Sequence, residues 1–324
     1  QTNKIYAMKV LKKASLILHL KDAEHTKTER QILEEVRHPF IVDLYFAFQT
    51  KEKLFLLLTF AAGGELFSYL QKEKMFDEDT AMFYLCEIFL ALEHLHSLGI
   101  IYRDLKPENI LLDHEGHTLL TDFGLSKVSV ETKTLCGSLE YMAPEIILTD
   151  TIHNITYDKL VDYWSFGILC HDLLTGKTPF NGNNHKKVMD AILKKKLILP
   201  NYLTTSAKNL IIRLLRKNPA VRLGSKKGAE EVKTHIFFRK INWNKVYNKE
   251  IIPPIIPIVN DPEDLSNFNS QFTKMSTDSI MIDSISATSL NNSGLVSENN
   301  GINSINSSRY DLFRGFSYVA DLGL

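Results

Sequence analysis

Strand-like and helix-like patterns are segregated along this chain, and that segregation limits it to a two-part architecture. Before residue 60 the apolar residues come in short runs. "KIYAMKVL" (4–11), "FIVDLYFAFQ" (40–49) and "KLFLLLTF" (53–60) each read as a strand, the last two joined by the polar turn "TKEK". One helical stretch interrupts them: "KTERQILEEV" (27–36), apolar at 32, 33 and 36 and stopped by His38-Pro39. After Gly63-Gly64 the character changes to helix. Residues 80–98 are apolar at 82, 85, 88, 89, 92 and 95 and stop at Gly99. Short strands and turns are expected over 100–125, a polar loop to about 143, and helices near 161–175, 185–195 and 206–216. Strands followed by helices indicate an α+β chain with a small sheet part and a larger helical part.

The totals narrow the partners. Lys+Arg and Asp+Glu are 38 each, so no global field recruits nucleic acid or a membrane, and local clusters must read any charged substrate. The most apolar long stretch, "AMFYLCEIFLALEHLHSLGII", is broken by Glu87, Glu93 and two histidines, which suits a buried amphipathic helix and not a membrane span. Cys86, Cys136 and Cys170 form no CxxC, arguing against a disulfide framework or zinc site and for a reducing compartment. The expected location is cytoplasmic, with the nucleus as a further option. Past residue 250, Pro253, Pro254 and Pro257 break regular structure. The stretch 284–308, with eight serines and six asparagines in 25 residues, is expected to be disordered. The final "YDLFRGFSYVADLGL" turns apolar again, which a passive tail would not need.

Lys9, in "YAMKV", sits on an apolar stretch where an isolated ammonium is costly to desolvate, so it needs a carboxylate or a phosphate. The pair "YRDLKPEN" (102–109) and "TDFG" (121–124) shows which chemistry. Four residues separate Asp104 from Asn109, and Asp122 lies 13 positions further on. The arrangement suits phosphoryl transfer: one carboxylate accepts a hydroxyl proton, while an amide and a second carboxylate hold magnesium between phosphates. Either aspartate alone could be a turn residue. Both motifs in this order, each after an apolar run, favour the chemistry.

On these residues the chain resembles a protein kinase over roughly 4–240. Tyr102-Arg103-Asp104 stands where the family has H-R-D, a variant frequent in the AGC group. The resemblance implies a bilobal α+β kinase fold, with a domain over 1–238 (partial N-lobe 1–59, C-lobe 60–238) and an AGC tail over 239–324. It implies ATP and Mg2+ as cofactors, Asp104 as catalytic base, Lys106 near the transferred phosphate, and Asn109 with Asp122 as metal ligands. Lys9 would bind the α- and β-phosphates and pair with Glu29. Ala7 and Leu111 would sandwich adenine, and Thr59-Phe60-Ala61 would form the hinge that bonds it through the main chain; Thr59 replaces the group's usual Glu. Leu33, Leu44, Tyr102 and Phe123 would stack between the lobes. Glu145 of "APE" would pair with Arg222, and Asp162 would anchor the catalytic loop, both structural roles.

"TLCGSLEYMAPE" (134–145) resembles the AGC activation segment, which makes Thr134 a phosphosite with Arg103 and Lys127 as partners. "LFRGFSY" resembles the hydrophobic motif (313–318): Phe313 and Phe316 would dock at Thr26, Arg30, Ala47, Gln49 and Leu54, and Ser317 would be phosphorylated. The turn-motif site is Ser276 or Ser279. Ribosomal protein S6 kinases are the nearest resemblance, with the first domain of the tandem-kinase relatives as the alternative; the ending after the hydrophobic motif points to the single-kinase form. The family's substrates carry arginines before the Ser or Thr, and Glu65, Glu108 and Asp172 stand where it binds them. A phosphoinositide-dependent upstream kinase would engage the hydrophobic motif, and the chain is expected to be a monomer.

The G-x-G-x-x-G loop that roofs the phosphates occurs nowhere in the sequence, and eight residues before Lys9 cannot supply it with its two strands. The chain reads as a kinase incomplete at its N-terminus. Two functions follow: an active basophilic Ser/Thr kinase, or a catalytically dead scaffold built on the same fold.

Overall fold

The computed structural model describes residues 4–18, 20–128, 137–151, 156–274 and 311–320. Strand β1 (Tyr6–Lys12) runs directly into helices α1 (Lys13–Leu18) and α2 (Leu20–Glu35). Strands β2 (Leu44–Gln49) and β3 (Lys53–Thr59) follow as an antiparallel hairpin. The sequence pattern located β1, the hairpin and the C-terminal part of α2, but neither the first seven residues of α2 nor α1. Residues 40–43 are not strand; only Ile41 bridges, to Leu120. β3 is apolar almost throughout because it lies between β1 and β2, and Leu54 and Leu56 are fully buried there. Among the described residues β1 pairs with β3 alone, so its other edge is open, and Met8 on it is exposed.

The helical part begins with β4 (Gly64–Glu65), α3 (Leu66–Glu73) and α4 (Glu78–Ser97). Asp77 caps α4 by accepting the Thr80 N–H at 2.7 Å, satisfying one of its orphan donors. α4 is buried on most faces from Ala81 to Leu95. Next come β5 (Ile100–Ile101), β6 (Ile110–Leu112), β7 (Thr118–Leu120) and β8 (Lys127–Val128), arranged as two small antiparallel sheets, β4-β6-β7 and β5-β8. Then follow α5 (Pro144–Thr151), α6 (Leu160–Thr175), α7 (His185–Lys194), α8 (Thr205–Leu214), α9 (Ala229–Lys233), α10 (Trp243–Tyr247) and α11 (Ser270–Thr273). α6 is the central post of this part, buried without interruption from Val161 to Leu174. Between Asn248 and Asn269, where the prolines fall, there is no helix or strand.

The chain's far end returns to its beginning. β9 (Tyr318–Val319) adds to β2 at the edge opposite β1, giving the sheet order β1-β3-β2-β9. Phe313 and Phe316 are buried beside α2 and that sheet edge. The disordered stretch expected at 284–308, and both turn-motif serines, lie outside the described residues. No described helix is long and apolar enough to cross a membrane.

Candidate active site

The loop that begins at Tyr102 is held from below by α6. Asp162, fully buried, accepts the backbone N–H of Tyr102 at 2.9 Å and of Arg103 at 2.8 Å, while His96 Nε2 lies 2.7 Å from its Oδ2. These bonds hold Arg103 at φ 70°, and Asp122 stands at φ 62°. Left-handed backbone at a non-glycine residue costs about 1–3 kcal/mol and collects at functional sites. Gly137 lets the next segment approach: at φ 102°, a Cβ there would sit 2.6 Å from the Arg103 carbonyl oxygen. A buried ion pair braces α5, with Arg222 gripping both Glu145 oxygens at 2.6 and 2.8 Å.

Asp104 is saturated. Its Oδ1 accepts the Ser138 N–H and hydroxyl, both at 3.0 Å, and its Oδ2 accepts from Lys106 Nζ and Asn109 Nδ2, both at 2.9 Å. A carboxylate offers about four lone-pair positions, so all are in use. Lys106 also donates to Ser138 Oγ at 2.9 Å. Ser138 was not among the residues predicted for the site. Its signal was present, a hydroxyl residue between the glycine and the "LEYMAPE" run that resembles the activation segment.

Above this loop, Lys9 Nζ lies 2.7 and 3.0 Å from the two Glu29 oxygens and 3.2 Å from Asp122 Oδ1. Burial alone would lower the Lys9 ammonium, but the Glu29 and Asp122 charges reverse this and hold it above its ordinary value. Burial pushes the Glu29 carboxyl up, with Lys9 opposing. Lys9, Glu29, Asp104 and Asp122 line one cavity of about 310 Å³. Ala7, Thr59, Ala61 and Leu111 are not among its walls. Ala7 is half-buried opposite Leu58, Leu111 is half-buried on β6, and Ala61 is buried with its carbonyl accepting the Gly64 N–H at 3.1 Å. Thr59 closes β3, its N–H donating to the Asp43 carbonyl at 3.0 Å. A tail segment packs on residues 60–62, which the sequence pattern did not reveal. Phe268 stacks on Phe60 with centroids 5.9 Å apart, and Asn267 Nδ2 donates to the Ala62 carbonyl at 3.0 Å.

The inter-lobe residues Leu33, Leu44, Tyr102 and Phe123 are all buried, and the Tyr102 and Phe123 rings meet edge-on at 5.4 Å. Glu65, Glu108 and Asp172 are electrostatically linked. Burial and the Glu108 charge push Glu65 up; burial also raises Asp172, against the Tyr141 hydroxyl that donates to its Oδ2 and with Glu108 adding to the rise. Asp172 is therefore less open than the other two, which are exposed. Thr134 lies outside the described residues. Arg103, expected to meet its phosphate, is buried, with Nε donating to the Leu125 carbonyl and Nη1 to Tyr157 OH.

On the tail, Ser317 is exposed and its carbonyl accepts from Arg30 Nη2 at 3.4 Å, while Gln49 Nε2 donates to the Phe313 carbonyl at 2.9 Å. Arg37, not foreseen, donates to the Leu33 and Val36 carbonyls at the end of α2 and to Tyr318 OH at 2.9 Å.

A lysine–glutamate pair over a saturated loop aspartate, with a second aspartate beside it, between a small sheet and a helical body, defines a protein kinase. The chain belongs to the protein kinase family: the family described as "Protein kinase domain" matches residues 1–238, and "Protein kinase C terminal domain", the AGC extension, matches 259–318. It is 47% identical over 98% of its length to human "Ribosomal protein S6 kinase alpha-1", and 48% identical over the same share to mouse "Ribosomal protein S6 kinase alpha-3". The chicken "Ribosomal protein S6 kinase 2 alpha" is 47% identical. The chain spans about 40% of the length of each of these relatives.

Protein kinases in general use ATP and Mg2+. The donor set here fits. Asn109 spends its amide hydrogens on the Asp104 carbonyl and carboxylate, which leaves its carbonyl oxygen as the atom it can offer a cation. The Asp122 side chain is half-exposed beside the cavity. Among the described residues no three His, Cys, Asp or Glu form a metal cage. Mg2+ needs none, since it takes one or two protein oxygens and completes its shell from water and phosphates.

Proposed function

We propose that this chain is the catalytic part of an ATP-dependent serine/threonine kinase, similar to the ribosomal protein S6 kinases, that phosphorylates protein segments with arginines ahead of the acceptor. The observation that carries the reading is Lys9, charged and held between Glu29 and Asp122 over Asp104. Lys9 neutralises the α- and β-phosphates, with Glu29 fixing its direction. Ala7, Leu111 and the main chain of Thr59 and Ala61 receive adenine. Asp122 and Asn109 are the residues that would hold Mg2+, which when bound offsets charge on the phosphate oxygens.

Asp104 takes the proton of the substrate hydroxyl. Because its acceptor positions are full, the incoming hydroxyl must displace a donor. The Ser138 hydroxyl is the replaceable one, since it can rotate away while its own N–H and Asn109 keep the carboxylate aimed. Lys106 then turns from Ser138 toward the developing phosphoryl charge. Glu65 and Glu108 meet the substrate arginines, with the remaining Asp172 oxygen as a deeper partner. Thr134 and Ser317 are regulatory phosphosites. An upstream phosphoinositide-dependent kinase that engages the hydrophobic motif must first draw Phe313 and Phe316 out of their own groove.

Asp104→Asn in the full protein tests this reading. Phosphate transfer to an arginine-containing peptide should fall about 10²-fold or more, with nucleotide binding nearly unchanged. Retention of more than about a tenth of the turnover would remove Asp104 from the base role. Absence of transfer by the unmutated protein would leave the scaffold function in its place.

A further inference from the structure

The charge of this molecule is balanced overall but not locally. Between Leu173 and Pro200 there are six lysines (177, 186, 187, 194, 195 and 196) and one acid, Asp190. Three of them, Lys177, Lys195 and Lys196, border a cavity of about 380 Å³ that Pro179, Leu199 and Pro200 also line; among the described residues no carboxylate lines it. Asp190 is already paired, with Lys194 at 2.7 Å, whereas no ion pair among the described residues holds the three at the cavity. Their side chains are exposed, and Ile198 at the rim is 76% exposed.

The backbone on the Lys177 side of this cluster is fixed. His171 Nδ1 lies 2.7 Å from the Lys177 carbonyl oxygen, and Thr175 Oγ1 donates to the same atom at 3.1 Å. Phe180 is buried, stacked on Trp164 with centroids 5.7 Å apart. Three like charges around one cavity repel one another in the free protein, and carboxylates between them would relieve that repulsion. An exposed isoleucine beside prolines offers an apolar anchor within the same charged rim.

We propose that the Lys177–Lys195–Lys196 cavity is a docking site for an acidic segment of a partner protein, one carrying carboxylates around an aliphatic residue. The charge requirement is opposite to that of Glu65, Glu108 and Asp172, so this surface does not select the phosphoacceptor arginines. It also needs no nucleotide, which lets binding be read without turnover.

The test is fluorescence anisotropy of a labelled peptide of glutamates around a leucine pair, added to the whole protein. Binding should weaken about tenfold when ionic strength rises from about 0.05 to about 0.5 M, because exposed charges are screened over a shorter length. The variant K177E/K195E/K196E should bind at least about tenfold more weakly, through like-charge juxtaposition, and Ile198→Asp should lose several-fold. The variant K226E/K227E, a charge change at a remote exposed site, should bind like the parent. Melting curves establish that each variant is folded. Parent-like binding by the triple variant, an equal loss in the remote pair, or no peptide binding at all would overturn the proposal. So would displacement of the peptide by inorganic phosphate at matched charge, which would make the cavity a small-anion site.

Discussion

The two halves of the candidate active site are built differently. The lower half hangs on Asp162, with Tyr102, Arg103 and His96 all bonded to one fully buried carboxylate, and Asp104 is then fixed by Lys106, Asn109 and Ser138. Every tie lies between residues 96 and 162. The upper half is held from a distance. Lys9 is one-third exposed, and Glu29 belongs to a helix whose flank is covered by the tail, Arg30 reaching Ser317 across 287 positions. The lower half is preorganised, whereas the upper half takes its geometry from contacts that can be made or withdrawn. Control of such a site belongs in the upper half, where few bonds need to change.

The largest expected effect tests the lower half. Asp162→Ala removes the common acceptor and leaves two buried N–H groups and His96 without a partner. It should cost about 2–6 kcal/mol of stability in urea unfolding, at about 1–3 kcal/mol for each of the two buried N–H groups left unsatisfied. A loss below about 1 kcal/mol, the net worth of an ordinary hydrogen bond, would mean that the loop is shaped elsewhere and the contrast between the halves fails.

A smaller effect is expected from the tail, and it sharpens the contrast. If Phe316 acts on activity by holding α2, its loss and the loss of Glu29 reach the same end. Phe316→Ala and Glu29→Gln should each slow transfer in the full protein, and the double variant should be scarcely slower than Glu29→Gln alone. Fully multiplicative losses would show that the tail works by a route other than the Lys9–Glu29 pair.

Legibility in the sequence follows the same division. Asp104, Asn109 and Asp122 could be singled out together because their spacing is local, and the fold brings Asn109 onto Asp104 and Asp122 to the same cavity. Lys9 and Glu29 could be matched through a strand and a helix with ordinary periodicity. Contacts that only the folded path creates left little trace. Tyr318 pairing on β2, Arg37 tying α2 to its hydroxyl, and Phe268 on Phe60 each join segments more than 200 residues apart. α1 was missed because "KASLIL" is six residues long, too short for its periodicity to stand out. Asp172 was matched by position, but the tyrosine that covers it lies 31 residues away.

The smallest effect concerns the joint between the halves. His38, just past the end of α2, stacks on His94 of α4 at 5.1 Å and meets Tyr247 edge-on, while its Nδ1 accepts the Phe40 N–H at 3.2 Å. Burial, with the His94 ring adding to it, lowers its pKa from the ordinary 6.5 to about 3, so the ring is neutral in the folded protein. The sign follows. Between those two values the unfolded chain binds a proton at this site that the folded chain refuses, so stability is fully present above pH 6.5 and is lost as pH falls toward 3. His94 is also lowered by burial and contributes in the same direction. Asn at position 38 could still accept the Phe40 N–H, as an Asx turn does, and it does not titrate. Melting from about pH 7.5 to about pH 5 should therefore show a shallower loss in His38→Asn than in the parent, by up to about one proton in the slope. Equal slopes would mean that His38 takes up its proton while still folded, and that water already enters the joint between the fixed half and the adjustable one.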